Sequence, residues 1–385
     1  MVAAISDREN TRGDIVRLVH RGLGVHEFTE AVTRILRRSV PFDGACLLTI
    51  DPATYLPTGE FVENGLSAAA TVRLTEIELR EPDFNKFTAL AREHRPAASL
   101  SEATEGDLDQ SRRQRELRRP GGFEDELRAV LSGATGTWAA LTLLREARRP
   151  HFTPAEVSFV ATLVDPLADG IRRAMLLGGS AGEELDLGVL VLAADDSVEM
   201  ANRAAQRWLD ELRSVNRPGA RLPLVIHAVA GRTRQAAAGG SATGVGADGG
   251  IARARARTRA GRWVLVRGSL VGDGPGSRVA ILLEEARAPE LAPLIAEAYG
   301  FTERERRVTE LVAQGFPTSE IAGRLHMSAY TVQDHLKSIF EKSGTGSRGE
   351  LVAQLFFGHY APRLTTWDRA VVRQLGLEGP APSDR

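Results

Sequence analysis

Three glycine-containing motifs in the sequence have the spacing of known catalytic or nucleotide-binding loops. Residues 178–182 satisfy G-x-S-x-G, and residues 244–249 and 344–349 both satisfy G-x-G-x-x-G. A nucleophilic serine in the first motif requires a strand before it and a helix after it, but the pattern around Ser180 predicts the reverse order. A dinucleotide-binding loop must follow a strand in a βαβ unit, and neither glycine-rich segment does. The sequence therefore predicts no catalytic residue and no nucleotide site.

Isolated nucleophiles and metal ligands are few. Cys46 is the only cysteine, so a disulfide within the chain and a cysteine-rich zinc module are both excluded. It lies in an apolar stretch, which favours a buried structural thiol, with a redox-sensing thiol as the alternative. None of the eight histidines forms an H-x-x-x-H pair. We therefore predict no metal site, although a haem-ligand role for His151 or His227 stays an alternative.

Two arginine-rich segments carry charge without an obvious motif. Residues 111–120 (SRRQRELRRP) predict a solvated loop or helix face. Further along the chain, every second residue is an arginine at Arg253, Arg255, Arg257 and Arg259. This alternation places the four side chains on one face of a strand. One interpretation of that face is a solvated sheet surface. The other is a site for an anionic ligand or a docking surface for DNA.

Between residues 301 and 356, polar residues and glycines occur where short helices would begin and end. The capping boxes, N-caps and glycine stops are Thr302 with Glu305, Gly315, Thr318, Ser328, Gly344, and Ser347 with Glu350. Apolar residues recur between them at helical spacing. This pattern predicts four helices, and the tight turn between the second and third is typical of a helix-turn-helix.

The same segment resembles the LuxR-type DNA-binding domain over about sixty residues. The matching residues are Thr302, Arg304, Glu305, Gly315, Glu320, Ile321, Ala322, Leu325, Ser328, Thr331, Val332, His335, Ile339, Lys342, Ser347 and Arg348. The resemblance implies that residues 328–342 form a recognition helix that lies in the major groove of double-stranded DNA.

By matching position, the resemblance also implies a role for each polar residue. Gln333, Asp334 and Lys337 would face base edges, where glutamine can pair with adenine, aspartate can accept from the cytosine amino group and lysine can donate to guanine. Thr331 and Arg348 would contact phosphates, which fix the register of the protein on the duplex.

The predicted DNA-binding segment is electrically neutral, which is a departure from the family. Residues 297–363 carry eight basic and eight acidic side chains, and the family commonly has a basic residue where Gln333 stands. Because phosphate neutralisation supplies non-specific affinity, we expect a monomer to bind DNA weakly and the protein to bind as a homodimer. The fourth helix would supply the pairing face, as in the family, through Leu351, Val352, Leu355 and Phe356. A helical module that contacts only protein is the alternative.

Two α+β blocks precede this segment. Residues 7–177 begin with a helix, contain apolar strands and end with a helix predicted over residues 154–175; this order resembles a GAF domain. Residues 184–285 contain a short hairpin, a helix capped by Asn202 and a closing hairpin, and they resemble a PAS domain. Both resemblances imply small folds that bind a ligand or dimerise, and a fold alone does not choose between these functions.

The expected fold class is multidomain, with GAF-like and PAS-like α+β sensor domains followed by an all-α four-helix helix-turn-helix domain. The remaining boundaries are a helical linker at residues 286–300, the helix-turn-helix at residues 301–360 and a tail at residues 361–385. A chain of 385 residues suits two to three domains.

The amino-acid composition excludes further classes of function. Hydrophobic residues are 43% and charged residues 26% of the chain, and the net charge is −1, so no overall field attracts it to nucleic acid or to lipid. No apolar run approaches the ~18–20 residues of a membrane span, and we place the protein in the cytoplasm. We predict a one-component transcriptional regulator that is not an enzyme and has no resident cofactor. A small-molecule effector and RNA polymerase are further candidate partners. The alternatives are a protein-interaction module that no longer binds DNA and an enzyme in the N-terminal domain.

Overall fold

The structure is a computed structural model that describes residues 2–67, 70–133, 136–176, 186–213, 222–237, 252–272, 277–286, 299–313 and 315–351. These residues form two compact units, one ending at Ala286 and one beginning at Tyr299. The G-x-S-x-G motif, most of the predicted linker and the whole predicted tail lie outside the described residues.

The first block of the first unit is built on a five-stranded antiparallel sheet. Its strands are β1 (Gly44–Ile50), β2 (Pro57–Glu63), β3 (Ala97–Ser99), β4 (Phe123–Gly133) and β5 (Gly136–Glu146), in the order β2-β1-β5-β4-β3. Helices α1 (Val2–Val19) and α2 (Val25–Leu36) precede it, and α3 (Ala70–Arg80), α4 (Phe87–Arg92) and α5 (Leu100–Ala103) lie between β2 and β4. The predicted α+β architecture is confirmed.

The block ends in two helices where the sequence pattern predicts one over residues 154–175. Helix α6 (Pro154–Thr162) has the capping box of Thr153 and Glu156, and α7 (Val164–Leu176) follows after Leu163. Pro166 explains the break, because proline has no N–H to donate to the preceding turn and its ring crowds the carbonyl there. Helix α7 packs on β4 and β5.

The second block contains another five-stranded antiparallel sheet with the same strand order. Its elements are β6 (Gly188–Leu192), β7 (Val198–Ala201), α8 (Arg203–Leu212), α9 (Leu224–Ala237), β8 (Ala252–Arg257), β9 (Trp263–Val271) and β10 (Arg278–Glu285). The order β7-β6-β10-β9-β8 repeats, position for position, that of the first sheet. Asn202 caps α8 as predicted, because its side chain accepts from the Ala205 N–H at 2.8 Å.

Helix α9 was not expected from the sequence. Its residues from Leu224 to Ala230 are all buried, as is Thr233. A helix buried on nearly every side lacks the amphipathic stripe by which surface helices are recognised. It packs on β8 and β9 of its own sheet and on α3 and β2 of the first block, and Leu56 of the first block lies in the same apolar core. The two blocks therefore form one compact unit.

The arginine face of β8 is neither a solvated surface nor an open anion site, and both interpretations were wrong for its central residues. Arg255 is 8% exposed, and its Nη2 donates to Asp51 Oδ1 at 2.6 Å. Arg257 donates to the backbone carbonyls of Ala174 and Met175 at the end of α7, and burial lowers the pKa of Arg257 to about 10. These arginines are not open to solvent because the first block packs on this part of β8, a tertiary contact that the strand's own sequence does not indicate.

The arginine-rich segment 111–120 is a solvated helix face only in part: three of its five arginines are exposed, and the other side of the segment is buried. Arg113 and Arg118 are buried on the first sheet. Arg113 Nε donates to Glu126 Oε1 at 2.9 Å, and Arg118 Nε donates to Oε2 of the same carboxylate at 3.1 Å. Arg128 completes this buried cluster of ions. The charges are tolerated inside because each guanidinium meets a carboxylate.

The second unit is a small helical bundle. Its helices are α10 (Glu303–Ala313), α11 (Thr318–Leu325) and α12 (Ala329–Ser343), and residues 348–351 begin a further helix. Its buried core consists of Phe301, Val308, Val312, Ile321, Ala322, Val332, Leu336, Ile339 and Leu351. The predicted helical fold and the predicted inward stripes are confirmed.

Candidate nucleic-acid interface

The caps that the sequence predicts place α12 at a defined position in the bundle. The Ser328 hydroxyl accepts from the Thr331 N–H at 3.0 Å, and Gly344 ends the helix with φ of 70°. Helix α11 differs slightly from expectation, because it begins after Pro317 and Thr318 makes no capping bond. His326 closes α11 in the left-handed conformation, with φ of 53°, so the turn to α12 is short.

One face of α12 is open to solvent. Thr331, Gln333, Asp334 and Lys337 are all exposed, whereas Val332 between them is fully buried. The four exposed residues recur at helical spacing and therefore share a face. The helix thus presents together the residues to which the sequence assigns base and phosphate contacts.

Tyr330 belongs to the same face and was not singled out from the sequence. It is 73% exposed, and it lies three and four residues before Gln333 and Asp334, which places it one turn away on the helix surface. A large aromatic ring so exposed is unusual for a folded protein. The signal that could have found it is its position in the first turn of the predicted recognition helix, two residues after the N-cap Ser328.

A buried carboxylate holds α12 against α10. Glu305 accepts from the Thr302 N–H and from Lys342 Nζ, both at 2.6 Å, and from the Ser338 hydroxyl at 2.7 Å. Burial by itself would raise the pKa of Glu305, but these hydrogen bonds and the charge of Lys342 lower it to about 2. The capping box was predicted, and the link to Lys342 was not.

Arg348 lies across the start of α11. Its Nη2 donates to the Phe316 carbonyl oxygen at 2.7 Å, and its Nη1 lies 3.4 Å from Thr318 Oγ1. The guanidinium is therefore oriented by the loop before α11 and is half-buried. A phosphate contact by Arg348 stays a prediction.

The residues predicted for dimerisation fall on both sides of the described boundary. Leu351 is fully buried within the core of the bundle, so its side chain is used inside the monomer. Val352, Leu355 and Phe356 lie outside the described residues.

The remaining candidates are not brought together into one site. Cys46 is half-buried in the middle of β1, His151 is exposed, and His227 is buried beside Asp196. Within the described ranges, no group of three histidine, cysteine, aspartate or glutamate side chains is arranged to hold a metal ion. None of the helices in those ranges is long and apolar enough to cross a membrane.

Comparison with known proteins locates this bundle in a family. Residues 300–355 match the family described as "Bacterial regulatory proteins, luxR family". Transcriptional regulatory protein DesR of Bacillus subtilis is 35% identical over 96 residues, which cover 23% of this chain and 48% of DesR. Spore germination protein GerE of the same organism is 41% identical over 54 residues, which cover 14% of this chain and 73% of GerE. The chain thus spans about half of the length of DesR.

Among solved structures, the chain is similar to the GAF domain of an Acinetobacter phosphoenolpyruvate-protein phosphotransferase. The identity is 12% and the TM-score 0.29, with 44% of this chain and 95% of that chain covered. The family match at residues 300–355 includes α10, α11 and α12, and the match to GerE covers 73% of that protein. The chain belongs to the luxR family of bacterial regulatory proteins.

Proposed function

We propose that the protein regulates transcription by binding double-stranded DNA sequence-specifically through α12. The observation that carries this proposal is the exposed polar face of that helix, formed by Thr331, Gln333, Asp334 and Lys337 on a well-packed core. Membership of the luxR family supports the proposal, because the relatives that the chain matches include transcriptional regulatory proteins. In this role, Gln333, Asp334 and Lys337 read base edges while Thr331 and Arg348 contact phosphates.

Binding to DNA selected from a random-sequence library tests this function. Fluorescence anisotropy with the full chain and the selected duplex gives its affinity at low and moderate salt. Lys337→Ala removes a donor to a base edge and is expected to cost about 1–3 kcal/mol of binding free energy. Arg203→Ala, at an exposed position of the first unit, serves as the control. If selection enriches no sequence, the proposal fails and the interaction module becomes the better interpretation.

We propose that the protein binds as a homodimer through Val352, Leu355 and Phe356. A neutral DNA-binding segment supports this proposal, since two linked copies double the number of phosphate contacts. Sedimentation velocity of a Leu355→Glu variant tests it: dissociation to monomer with loss of DNA affinity is expected. A dimer that survives this change would require another interface.

The α+β unit acts in this proposal as the sensor, with a GAF-like first block and a PAS-like second block. The repeated strand order of the two sheets supports two related modules. An effector regulates DNA binding only if it binds one conformation of the sensor better than the other. RNA polymerase is a candidate partner at the promoter, and action on the chromosome places the protein in the cytoplasm.

An enzyme in the first block remains the second alternative. Such an enzyme needs titratable groups clustered in a pocket. The buried ionic cluster around Glu126 is composed of ion pairs between arginines and carboxylates, which favours a structural role. We therefore propose a regulator without catalytic activity.

A further inference from the structure

A small cleft lies within the first unit, between α3, α9 and the turn that joins β6 to β7. It has a cavity volume of about 60 Å³. Since one water requires roughly 10–15 Å³ on the same measure, the cleft has room for a ligand of about four to six non-hydrogen atoms. Its walls come from both blocks, and no sequence motif above includes it.

His227 supplies a directed polar group on the α9 side of the cleft. Its side chain is 9% exposed, and Nδ1 lies 3.1 Å from Asp196 Oδ2. An ionised carboxylate accepts hydrogen bonds, so Nδ1 carries a proton and the other ring nitrogen, Nε2, is left for the cleft. Among the described residues, no hydrogen bond partner meets Nε2.

Asp196 is held as a carboxylate in this arrangement. Arg234 pairs with its Oδ1 and also donates to the Ala193 carbonyl oxygen at 2.7 Å. Burial would raise the pKa of Asp196, but the hydrogen bonds from His227 and Arg234 lower it. Asp196 also has a φ of 63°, a conformation that is uncommon for a residue with a side chain. The turn thus orients the imidazole at some conformational cost.

Arg80, at the end of α3, is the cation that lines the cleft without an acidic partner. Its Nη2 donates to the Gly231 carbonyl oxygen at 3.2 Å. Across the described part of the chain, no carboxylate forms an ion pair with it. Arg80 is exposed, so its remaining donors are available to a ligand.

The acidic residues around the cleft are already engaged. Glu76 pairs with Arg73 at 3.1 Å, and the Asp195 carboxylate accepts from the Ser197 N–H at 3.0 Å. Together with the pairing of Asp196 with Arg234 and His227, these contacts leave the Arg80 guanidinium without a partner of opposite charge, and Nε2 of His227 without a hydrogen bond, among the described residues. The Arg80 guanidinium is therefore the group to which a small anion can bind.

We propose that this cleft binds a small carboxylate of the size of acetate or propionate. One carboxylate oxygen accepts from the Arg80 guanidinium, and the other accepts from Nε2 of a protonated His227. Because Nδ1 already donates to Asp196, Nε2 can donate only in the imidazolium form, so binding to the neutral imidazole takes up one proton. The bound ligand bridges α3 of the first block and α9 of the second, and it stabilises their contact.

Isothermal titration calorimetry of the full chain tests this proposal directly, without DNA. Acetate is titrated against acetamide, a neutral analogue of the same size. We expect acetate to bind and acetamide not to bind. We also expect the heat to depend on the ionisation enthalpy of the buffer, because binding takes up a proton.

Two variants assign the site. Arg80→Gln is expected to weaken acetate binding by about tenfold or more, whereas Arg12→Gln, at an exposed position of α1, is expected to change it by less than about twofold. His227→Gln is expected to abolish the dependence of the heat on the buffer. If that variant does not fold, Arg80→Gln and the wild-type buffer series still test the proposal. Absence of acetate binding at ~50 mM, equal binding of acetamide, or an unchanged affinity in Arg80→Gln would overturn the proposal.

Discussion

The Asp51 carboxylate and the Arg255 guanidinium form a buried ion pair between the two sheets of the first unit. Nη2 lies 2.6 Å from Oδ1, and Nε lies 3.1 Å from Oδ2. The Arg255 backbone N–H also donates to Oδ2 at 2.8 Å. Since β8 is the last strand of its sheet, the carboxylate also satisfies an N–H on an open sheet edge. One side chain thereby joins the two predicted sensor modules.

Arg255→Met is expected to destabilise the first unit by about 3–5 kcal/mol, because it leaves the Asp51 charge buried and unpaired. Urea unfolding followed by tryptophan fluorescence measures the change. Arg253→Met on the same strand is the matched control, since Arg253 is exposed and its loss should cost less than about 1 kcal/mol. Equal effects of the two substitutions would show that the pair does not hold the sheets together.

Glu305 makes the helical unit sensitive to acid. Its pKa in the folded protein is about 2, below the ordinary value of 4.5. A lowered pKa contributes stability that is present above the ordinary value and is lost as the pH falls toward 2, and a shift of this size corresponds to about 3 kcal/mol. Calorimetric unfolding of the full chain should show wild type and Glu305→Gln differing by about that amount near neutral pH. The difference should shrink as the pH approaches 2, and a constant difference would contradict this linkage.

Local features of the fold were predictable, and long-range pairs were not. The caps at Ser328 and Asn202 are predictable from the sequence because a cap involves residues only a few positions apart. Asp51 and Arg255 are 204 positions apart, so no local spacing indicates their pairing. For the same reason the sequence does not indicate that two arginines of segment 111–120, Arg113 and Arg118, are buried against Glu126. Burial on nearly all sides removed the periodicity that would have indicated α9.

The candidate interface shows the same division. Gln333, Asp334 and Lys337 were predictable because a family resemblance supplied their positions and their helical spacing placed them on one face. The bond from Lys342 to Glu305 joins residues 37 positions apart, and it is a consequence of how α10 packs on α12. The His227–Asp196 contact likewise depends on the fold, since it connects a helix to a distant turn.

Tyr330 is expected to contribute to DNA binding. Its ring is 73% exposed and shares the polar face of α12, where an aromatic side chain can contact a thymine methyl group or the sugar-phosphate backbone. Tyr330→Ala should weaken binding to the selected duplex by about 1–2 kcal/mol, with Tyr330→Phe separating the ring from the hydroxyl. Since the side chain is exposed, the melting temperature should not change. Unaltered affinity in the alanine variant would exclude Tyr330 from the interface.

Asp334 is expected to lower the overall affinity for DNA and to raise the specificity for one base pair. Asp334 is exposed on the face of α12 that we propose to read DNA, where its carboxylate would repel phosphates but could accept from a cytosine amino group. Asp334→Asn should raise affinity for random-sequence DNA, most strongly at low salt. It should also reduce discrimination at one base pair by about 1–3 kcal/mol. Glu341→Gln makes the same change of charge at an exposed position near the other end of the helix, and it should leave base preference intact. If both variants gain affinity equally and neither changes base preference, Asp334 acts only through its charge and does not read a base.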